Sequence, residues 1–451
     1  MIPILTPGEM KAIDGAAPEP TEVLVHRAGG FVARAALEML GGAYGRHVVV
    51  LAGKGNNGAD GRDAAARLRR RGVRVHLVDA ADGPDRLPDA DLVIDAAYGT
   101  GFRGEYKAPD PEGAPVLAVD IPSGVDGLTG EAGEGAVHAE RTVTFAALKP
   151  GLVIGAGVGR AGQVEVADIG LDVSGARAWL VQRGDVAGWI PERDRETHKW
   201  KSAVYVVAGS PGMMGAAHLT SQAALRAGAG VVRLGSPGAD PSSFQMGEVV
   251  GRALPLLGWE DHVPEDAERA RALVIGPGLG RDDDRGAAVR HVLAKTPLPA
   301  VVDADALFAL GDADAAAEVT GTRRQPTVLT PHEGEFARLA GQPVGADRLE
   351  SVRALAHRTG AIVLLKGSTT VVADPEGRLL ASAAGDPRLA TAGSGDVLSG
   401  IIGAFLAQGL PGLEAAAAGA WVHGAAAHLG WRRGLVAGDL LDLVPAVLSE
   451  L

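Results

Sequence analysis

The sequence predicts an α/β protein of two domains, each built on an open, doubly wound and largely parallel sheet. Three observations carry that prediction. The chain has 451 residues, too many for one ordinary core. Short runs rich in Val, Ile and Leu recur without polar alternation, as parallel strands buried on both faces do. Ala-rich helical stretches fill the intervals, so strand and helix alternate along the chain.

In the first half the apolar runs are "HVVVLAG" (47–53), "VRVHLVDA" (73–80), "DLVIDAAYG" (91–99), "PVLAVDIPSG" (115–124) and "RTVTFAAL" (141–148). Between the first two, "GADGRDAAARLRRRG" (58–72) reads as a helix closed by Gly72, which makes a βαβ unit. "AADGPDRLPDAD" (80–91) reads as a loop. After Asp168 the pattern fades into a mixed-charge stretch containing Pro191, which puts the boundary at 172–180 and the domains at 1–174 and 178–451. The second half has strands at "AVYVVAGS" (203–210), "GVVRLGS" (230–236), "ALVIGPGLG" (272–280), "AVVDADAL" (300–307), "PTVLTPHEGE" (326–335) and "AIVLLKGSTTVVAD" (361–374). Helices are expected at 215–230 and 396–409.

Composition narrows the function. Hydrophobic residues make up 46% and charged residues 22%, which is globular rather than disordered. A net charge of −12 argues against nucleic acid as a partner, yet leaves room for a phosphate-bearing small molecule. With no cysteine, thiol catalysis and thiolate metal sites are excluded. The N-terminal residues lack a basic segment followed by an apolar one. The most membrane-like stretch, "EAAAAGAWVHGAAAHLG" (414–430), is interrupted by glycine and two histidines. A cytoplasmic, non-membrane protein is therefore expected.

The loops after the strands carry the chemistry. In "GKGNNGADG", Gly53, Gly55, Gly58 and Gly61 permit positive φ and uncover amides at a helix start, a geometry suited to phosphate. A plain tight turn is the other reading. Asn56, Asn57 and Asp60 add hard oxygen ligands for a cation or a ribose. Asp95 and Asp120 each stand at the end of an apolar run, with Ser123 three residues after Asp120; singly, each acid could be a turn former. In open α/β sheets this is the edge where ligands sit.

"GNNGADG", "DAAYGTG", "VDIPSGVDG" and "TFAALKPG", in this order, resemble the NAD(P)H-hydrate epimerase family, whose fold is Rossmann-like and three-layered. The resemblance implies that Asn56, Asn57, Gly58, Ala59 and Asp60 bind the hydrated cofactor. Asn57, Asp95 and Ser123 would surround a potassium ion. Gly99, Thr100, Gly101, Phe102, Arg103, Gly104 and Glu105 would hold the phosphates, Asp120 would contact the hydrate as acid/base, and Lys149 would assist. Ala59 stands where the family usually has Gly.

In "LATAGSGDVLSG" (389–400), Gly393, Ser394 and Gly395 offer backbone donors to an anion at a helix start, and Asp396 is placed to take a proton from a hydroxyl. The bland alternative is that Asp396 only stabilises the helix N-terminus. This helix start is similar to that of the three-layer ribokinase-like fold. With "GPGLG", "LTPHEGEF" and "KGSTT" it resembles one branch, the nucleotide-dependent NAD(P)H-hydrate dehydratases. Ser202 replaces a usual Gly, and Ser394 stands where Thr is commoner. By resemblance Lys366, Gly367, Ser368, Thr369, Thr370 and Gly395 hold the nucleotide, ADP with magnesium. Ala217, Gly278, His332 and Asp396 would lie against the hydrate, and Gly280 would also bind cofactor. On residues alone, His332 could equally cap or pack, and Lys366 could be a solvated strand-end lysine.

The pairing implied is a repair enzyme for nicotinamide rings hydrated at C6: one half interconverts the R and S hydrates, the other dehydrates the S form. It would act on NAD(P)HX and ADP as a homo-oligomer. Two other readings stay open on the sequence: a kinase of a small alcohol with a regulatory Rossmann-like domain, and a binding module without turnover.

Overall fold

A computed structural model describes all residues except 103, 105, 245 and 246. The chain divides into two compact units, Ile2–Ala178 and Trp179–Leu451, the latter taking in Met1 as well.

In the first unit, helices α1 (Pro7–Ala16), α2 (Thr21–Leu40) and α3 (Asn56–Arg70) accompany strands β1 (His47–Ala52), β2 (Arg74–Asp79), β3 (Leu92–Ala96), β4 (Val116–Val119), β5 (Arg141–Phe145) and β6 (Gln163–Ala167). The strands form one parallel sheet in the order β2-β1-β3-β4-β5-β6. Central strands β1, β3, β4 and β5 are buried almost throughout, as their unbroken apolar runs require. Strand β2 differs from expectation: it is an edge strand and largely exposed, which is why Arg74, His76 and Asp79 are tolerated in it. Helices α2 and α3 pack on the sheet and on each other. A second cluster, including Val49, Leu51, Leu87, Val93, Val116 and Val137, is covered by irregular segments, among them the 80–91 loop.

Helix α3 begins at Asn56, two residues earlier than the sequence pattern suggests, so both asparagines lie in its first turn rather than in a loop. Its last turn carries Arg67, Arg69 and Arg70, which complement the helix dipole.

In the second unit, nine strands between residues 203 and 382 are found among the described residues. They are β7 (Ala203–Val207), β8 (Val231–Pro237), β9 (Val250–Leu254), β10 (Ala272–Ile275), β11 (Ala300–Val302), β12 (Thr327–Leu329), β13 (Ile362–Leu365), β14 (Thr370–Ala373) and β15 (Leu379–Ser382). Their order is β15-β14-β13-β12-β11-β10-β7-β8-β9, parallel from β13 to β9 and antiparallel at β13-β14-β15. The single strand expected over 361–374 is thus a hairpin: Lys366 to Thr369 turn the chain between β13 and β14. Helices α4 (Met214–Arg226), α5 (Glu333–Ala340), α6 (Arg348–Thr359), α7 (Ser394–Ala407) and α8 (Gly412–Leu429) complete the framework. Helix α7 is buried from Val397 onward and packs on α4 and α8. Gly400 permits this closeness, because a Cβ there would stand 2.2 Å from the Thr220 carbonyl oxygen. Among the described residues no helix is long and apolar enough to cross a membrane.

Candidate functional site

Each unit gathers its predicted residues at the C-terminal ends of its parallel strands. In the first, α3 is seated directly on the β1 turn: a Cβ on Gly58 would meet the Gly53 carbonyl oxygen at 1.8 Å, and one on Gly53 would meet the Ala97 carbonyl oxygen at 1.9 Å. Only glycine permits those approaches. Ala59 accepts ordinary helical backbone, its amide donating to Gly55 at 3.0 Å, so its methyl does not disturb the turn.

Below the helix start lies a buried polar set. Asp95 is 1% exposed and accepts from the Ser123 hydroxyl at 2.7 Å, the Ser123 amide at 2.8 Å and the Ala97 amide at 3.3 Å. Burial pushes its carboxyl up to about 6 in spite of those donors. The Ser123 hydroxyl accepts in turn from the Tyr98 amide at 2.9 Å. Asn57 is the exception, since both polar atoms of its side-chain amide are buried without a partner. A buried amide left unpaired is costly, and it fits a missing ligand. Asn57, Asp95 and Ser123 together form a hard-oxygen donor set with one orphaned member, chemistry that suits a potassium ion.

Above it is a cavity of about 770 Å³ lined by Asn56, Asn57, Asp60, Gly99, Thr100, Gly101, Phe102, Asp120 and Lys149, and also by Asp14 and Phe145. Arg103 and Glu105 lie outside the described residues. Lys149 is 2% exposed; its ammonium donates to Asp120 at 2.5 Å, to the Thr144 hydroxyl at 2.8 Å and to the Phe145 carbonyl at 3.0 Å. Thr144 also donates to Asp120 at 3.1 Å. Asp120 sits at φ +66, a conformation a non-glycine residue adopts at a cost, and Ala146 in the adjacent turn does likewise at φ +63. Asp60 is buried, and burial, then the charges of Asp120, Asp63 and Asp14, push its carboxyl up to about 8 against the pull of Lys149. Asp14 at the rim is also raised, by burial first, with Lys149 opposing and Asp120 reinforcing. The sequence reading missed Asp14, which carries no local motif and reaches the cavity only through the packing of α1.

In the second unit Gly393, at φ +89, caps α7, so Ser394, Gly395 and Asp396 occupy its first turn rather than preceding it. The Gly395 and Asp396 amides are among those a helix leaves unbonded, while the Ser394 amide donates to the Thr391 carbonyl at 3.4 Å. A Cβ on Gly395 would come within 3.3 Å of the Lys366 ammonium, which places the cation beside those amides. Lys366 is not a free strand-end lysine. It donates to Asp303 at 2.8 Å, and Asp303, 1% exposed, also accepts from Ser399 at 2.7 Å. Asp396 is pushed up to about 6 by burial first and the Asp303 charge second, with Lys366 opposing and Asp305 reinforcing. Gly367 is braced by Arg348, which donates to the Lys366 carbonyl at 2.9 Å. Gly278 adopts φ +65, its carbonyl accepts from Ser210 at 2.9 Å, and its Cα lies near Met213 at the start of α4, the helix that carries buried Ala217. The Gly280 amide donates to Asp305 at 2.8 Å. His332 caps α5, accepting at Nδ1 from the Gly334 amide at 3.0 Å, while its side chain stays 61% exposed.

Asp303, Ala304 at φ +51 and His423 were not singled out in the sequence. Burial, then the charge of Lys366, pushes His423 down to about 4; it shares a hydrogen bond with the Ser394 backbone and leaves Nε2 buried without a partner. Among the described residues no group of three or more His, Asp or Glu could hold a metal ion.

Two family models match separate stretches of the chain. The family described as "NAD(P)H-hydrate dehydratase" matches residues 204–445, and that described as "YjeF-related protein N-terminus" matches 21–89 and 78–151. The chain is 37% identical to the bifunctional NAD(P)H-hydrate repair enzyme of Salinibacter ruber, over 99% of this chain and 96% of the relative. It is 41% identical to that of Mycobacterium leprae, over 91% and 90%. The chain belongs to the family of bifunctional NAD(P)H-hydrate repair enzymes. Among solved structures, an ADP/ATP-dependent NAD(P)H-hydrate dehydratase from Bacillus subtilis, co-crystallised with ATP and magnesium, is 31% identical with TM-score 0.51, covering 60% of this chain and 97% of its own. A ribokinase-like protein from Enterococcus faecalis, 22% identical with TM-score 0.53 over 60% of this chain and 96% of its own, shares the fold.

Proposed function

We propose that the first site epimerises the R and S hydrates through Asp120, positioned and charge-balanced by Lys149, and that the second removes water from the S hydrate through Asp396. The activity itself, epimerisation followed by nucleotide-dependent dehydration of NAD(P)HX, is that of the family. The observation that carries the assignment is buried Lys149 paired with Asp120 at 2.5 Å in a cavity that Asn57, its side-chain amide unpartnered, also lines.

In the second site Asp396 takes the proton of the C6 hydroxyl, and the freed oxygen attacks the terminal phosphorus of ADP, releasing AMP. The phosphate ester so formed leaves as phosphate, expelled by the lone pair of the ring nitrogen, and loss of a proton from C5 then forms the C5=C6 double bond of NAD(P)H. Lys366 and the first amides of α7 bind and orient the phosphates, where positioning and charge neutralisation supply most of the acceleration. Asp303 fixes Lys366 for that task. In the first site Asn57, Asp95 and Ser123 would hold potassium, which supplies a fixed positive charge that orders the phosphate-binding turn at 99–101. We take ADP as the preferred nucleotide, and a homo-oligomer as the assembly, to which exposed Tyr44 and Trp431 are suited; light scattering tests it.

Two substitutions test the assignment in one protein. Asp120→Asn is expected to abolish interconversion of the hydrates and keep ADP-dependent dehydration of the S form, and Asp396→Asn to do the reverse. Interconversion at the wild-type rate by Asp120→Asn would remove Asp120 from the chemistry.

A further inference from the structure

Asp60, like Asp14, is a carboxyl of the first cavity that this chemistry leaves unused, and it is the more buried of the two. It is 7% exposed, stands in the second turn of α3, and lines the same cavity as Asp120 and Lys149. No hydrogen bond to its side chain is found among the described residues. Around it are Asp120 from the end of β4, Asp63 from its own helix, Asp14 from α1, Lys149, and Lys54 at the cavity wall. Burial without a donor, beside three other acids, favours the proton-carrying form of this carboxyl.

Inverting C6 calls for such a group. The hydroxyl leaves only if its oxygen is protonated as the ring nitrogen pushes it out. The water that returns to the opposite face must lose a proton. One carboxyl has to begin protonated and another as carboxylate, and the Asp120 oxygen bonded to Lys149 supplies the second condition. We propose that Asp60 is the second acid–base residue of the epimerase, giving its proton to the departing hydroxyl while Asp120 takes one from water entering at the opposite face.

The step balances. The C6–O bond breaks as the nitrogen pair forms N1=C6, and a new C6–O bond returns that pair to nitrogen. One water leaves and one enters, and the net change in the protein is a proton moved from Asp60 to Asp120. The next turnover runs in the opposite sense with the roles exchanged, or follows proton exchange with solvent.

The inference rests on the epimerase reading of this site, and the test separates the two. Interconversion of purified R and S NADH hydrates is followed without ADP by full-length wild type, Asp60→Asn and Asp120→Asn, with scanning calorimetry as the control for folding of the first unit and ADP-dependent dehydration as the control for the second. Asp60→Asn is expected to lower kcat at least about 100-fold, the usual contribution of a general acid, with KM within about threefold. Wild type run in 18O-labelled water is expected to place one label in the hydroxyl at each inversion, a result that needs no variant to fold. Asp60→Asn with near-normal kcat beside an inactive Asp120→Asn would overturn the role of Asp60 and leave the epimerase reading standing. A loss confined to KM, or inverted hydrates free of label, would overturn it too. Normal interconversion by both variants would sink the epimerase reading itself.

Discussion

Gly58→Ala probes the seating of α3, on which the first site depends. The new methyl carbon would begin 1.8 Å from the Gly53 carbonyl oxygen, whereas ordinary contact starts near 3.4 Å. Both partners are backbone, so no side chain can swing aside, and helix and turn must part by well over an ångström. Overpacking of that kind costs about 1–3 kcal/mol. In a unit of this size the transition should fall by about 2–4 °C per kcal/mol, hence about 2–12 °C. Asn57 and Asp60 flank the change on the same helix, and a displacement near 1 Å lowers the rate about 100-fold. The assay is hydrate interconversion without ADP, with scanning calorimetry of the first transition and dehydration of the S hydrate as internal control. Ala59→Gly is the companion, expected to cost about 0.5–1 kcal/mol as an ordinary helical Ala-to-Gly change and to leave interconversion within about twofold. Wild-type rate and transition in Gly58→Ala would refute the direct contact between helix start and strand turn.

The second site makes two further predictions. Asp396 serves as a base only without its proton, so kcat/KM for dehydration should fall tenfold per pH unit below about 6 and level off above it. Because its folded value is raised from 3.8, the group's contribution to stability is fully present below pH 4 and lost as pH rises through 6. Asp396→Asn should therefore raise the melting temperature of the second unit at pH 7–8 and leave it unchanged near pH 4; equal shifts at both pH values would contradict the burial of that charge. Lys366→Met strands the Asp303 carboxylate with Ser399 as its remaining side-chain donor, a loss of about 3 kcal/mol in urea unfolding, and raises the KM for ADP; wild-type unfolding would mean the pair is not buried as described.

Most strands buried on two faces were legible, as in "HVVVLA" and "ALVI", because nothing polar interrupts those runs, whereas the short buried strand Leu379–Ser382 went unread. Gln163–Ala167 and Val250–Leu254 went unread: both alternate or expose polar residues at sheet edges. The hairpin at 366–369 was hidden because both its strands are apolar and its turn doubles as a binding motif. Site residues within a glycine-rich motif could be found from spacing. Asp14 and His423 could not, since each reaches its site through tertiary packing, His423 from the middle of a helix that reads as plain Ala-rich core; Asp303, at the end of the apolar run 300–302, carries the same signal as Asp95 and Asp120 and was passed over. Backbone strain at Asp120 and Ala304 is likewise invisible until the strand ends are placed.

The most direct test of two working sites in one chain mixes R and S NADH hydrates with the protein, ADP, magnesium and potassium, and follows the return of NADH absorbance. Complete recovery is expected, absent when ADP is withheld. Recovery that halts at the fraction of S hydrate would contradict an active first site, and no recovery at all would contradict the dehydratase chemistry assigned to Asp396.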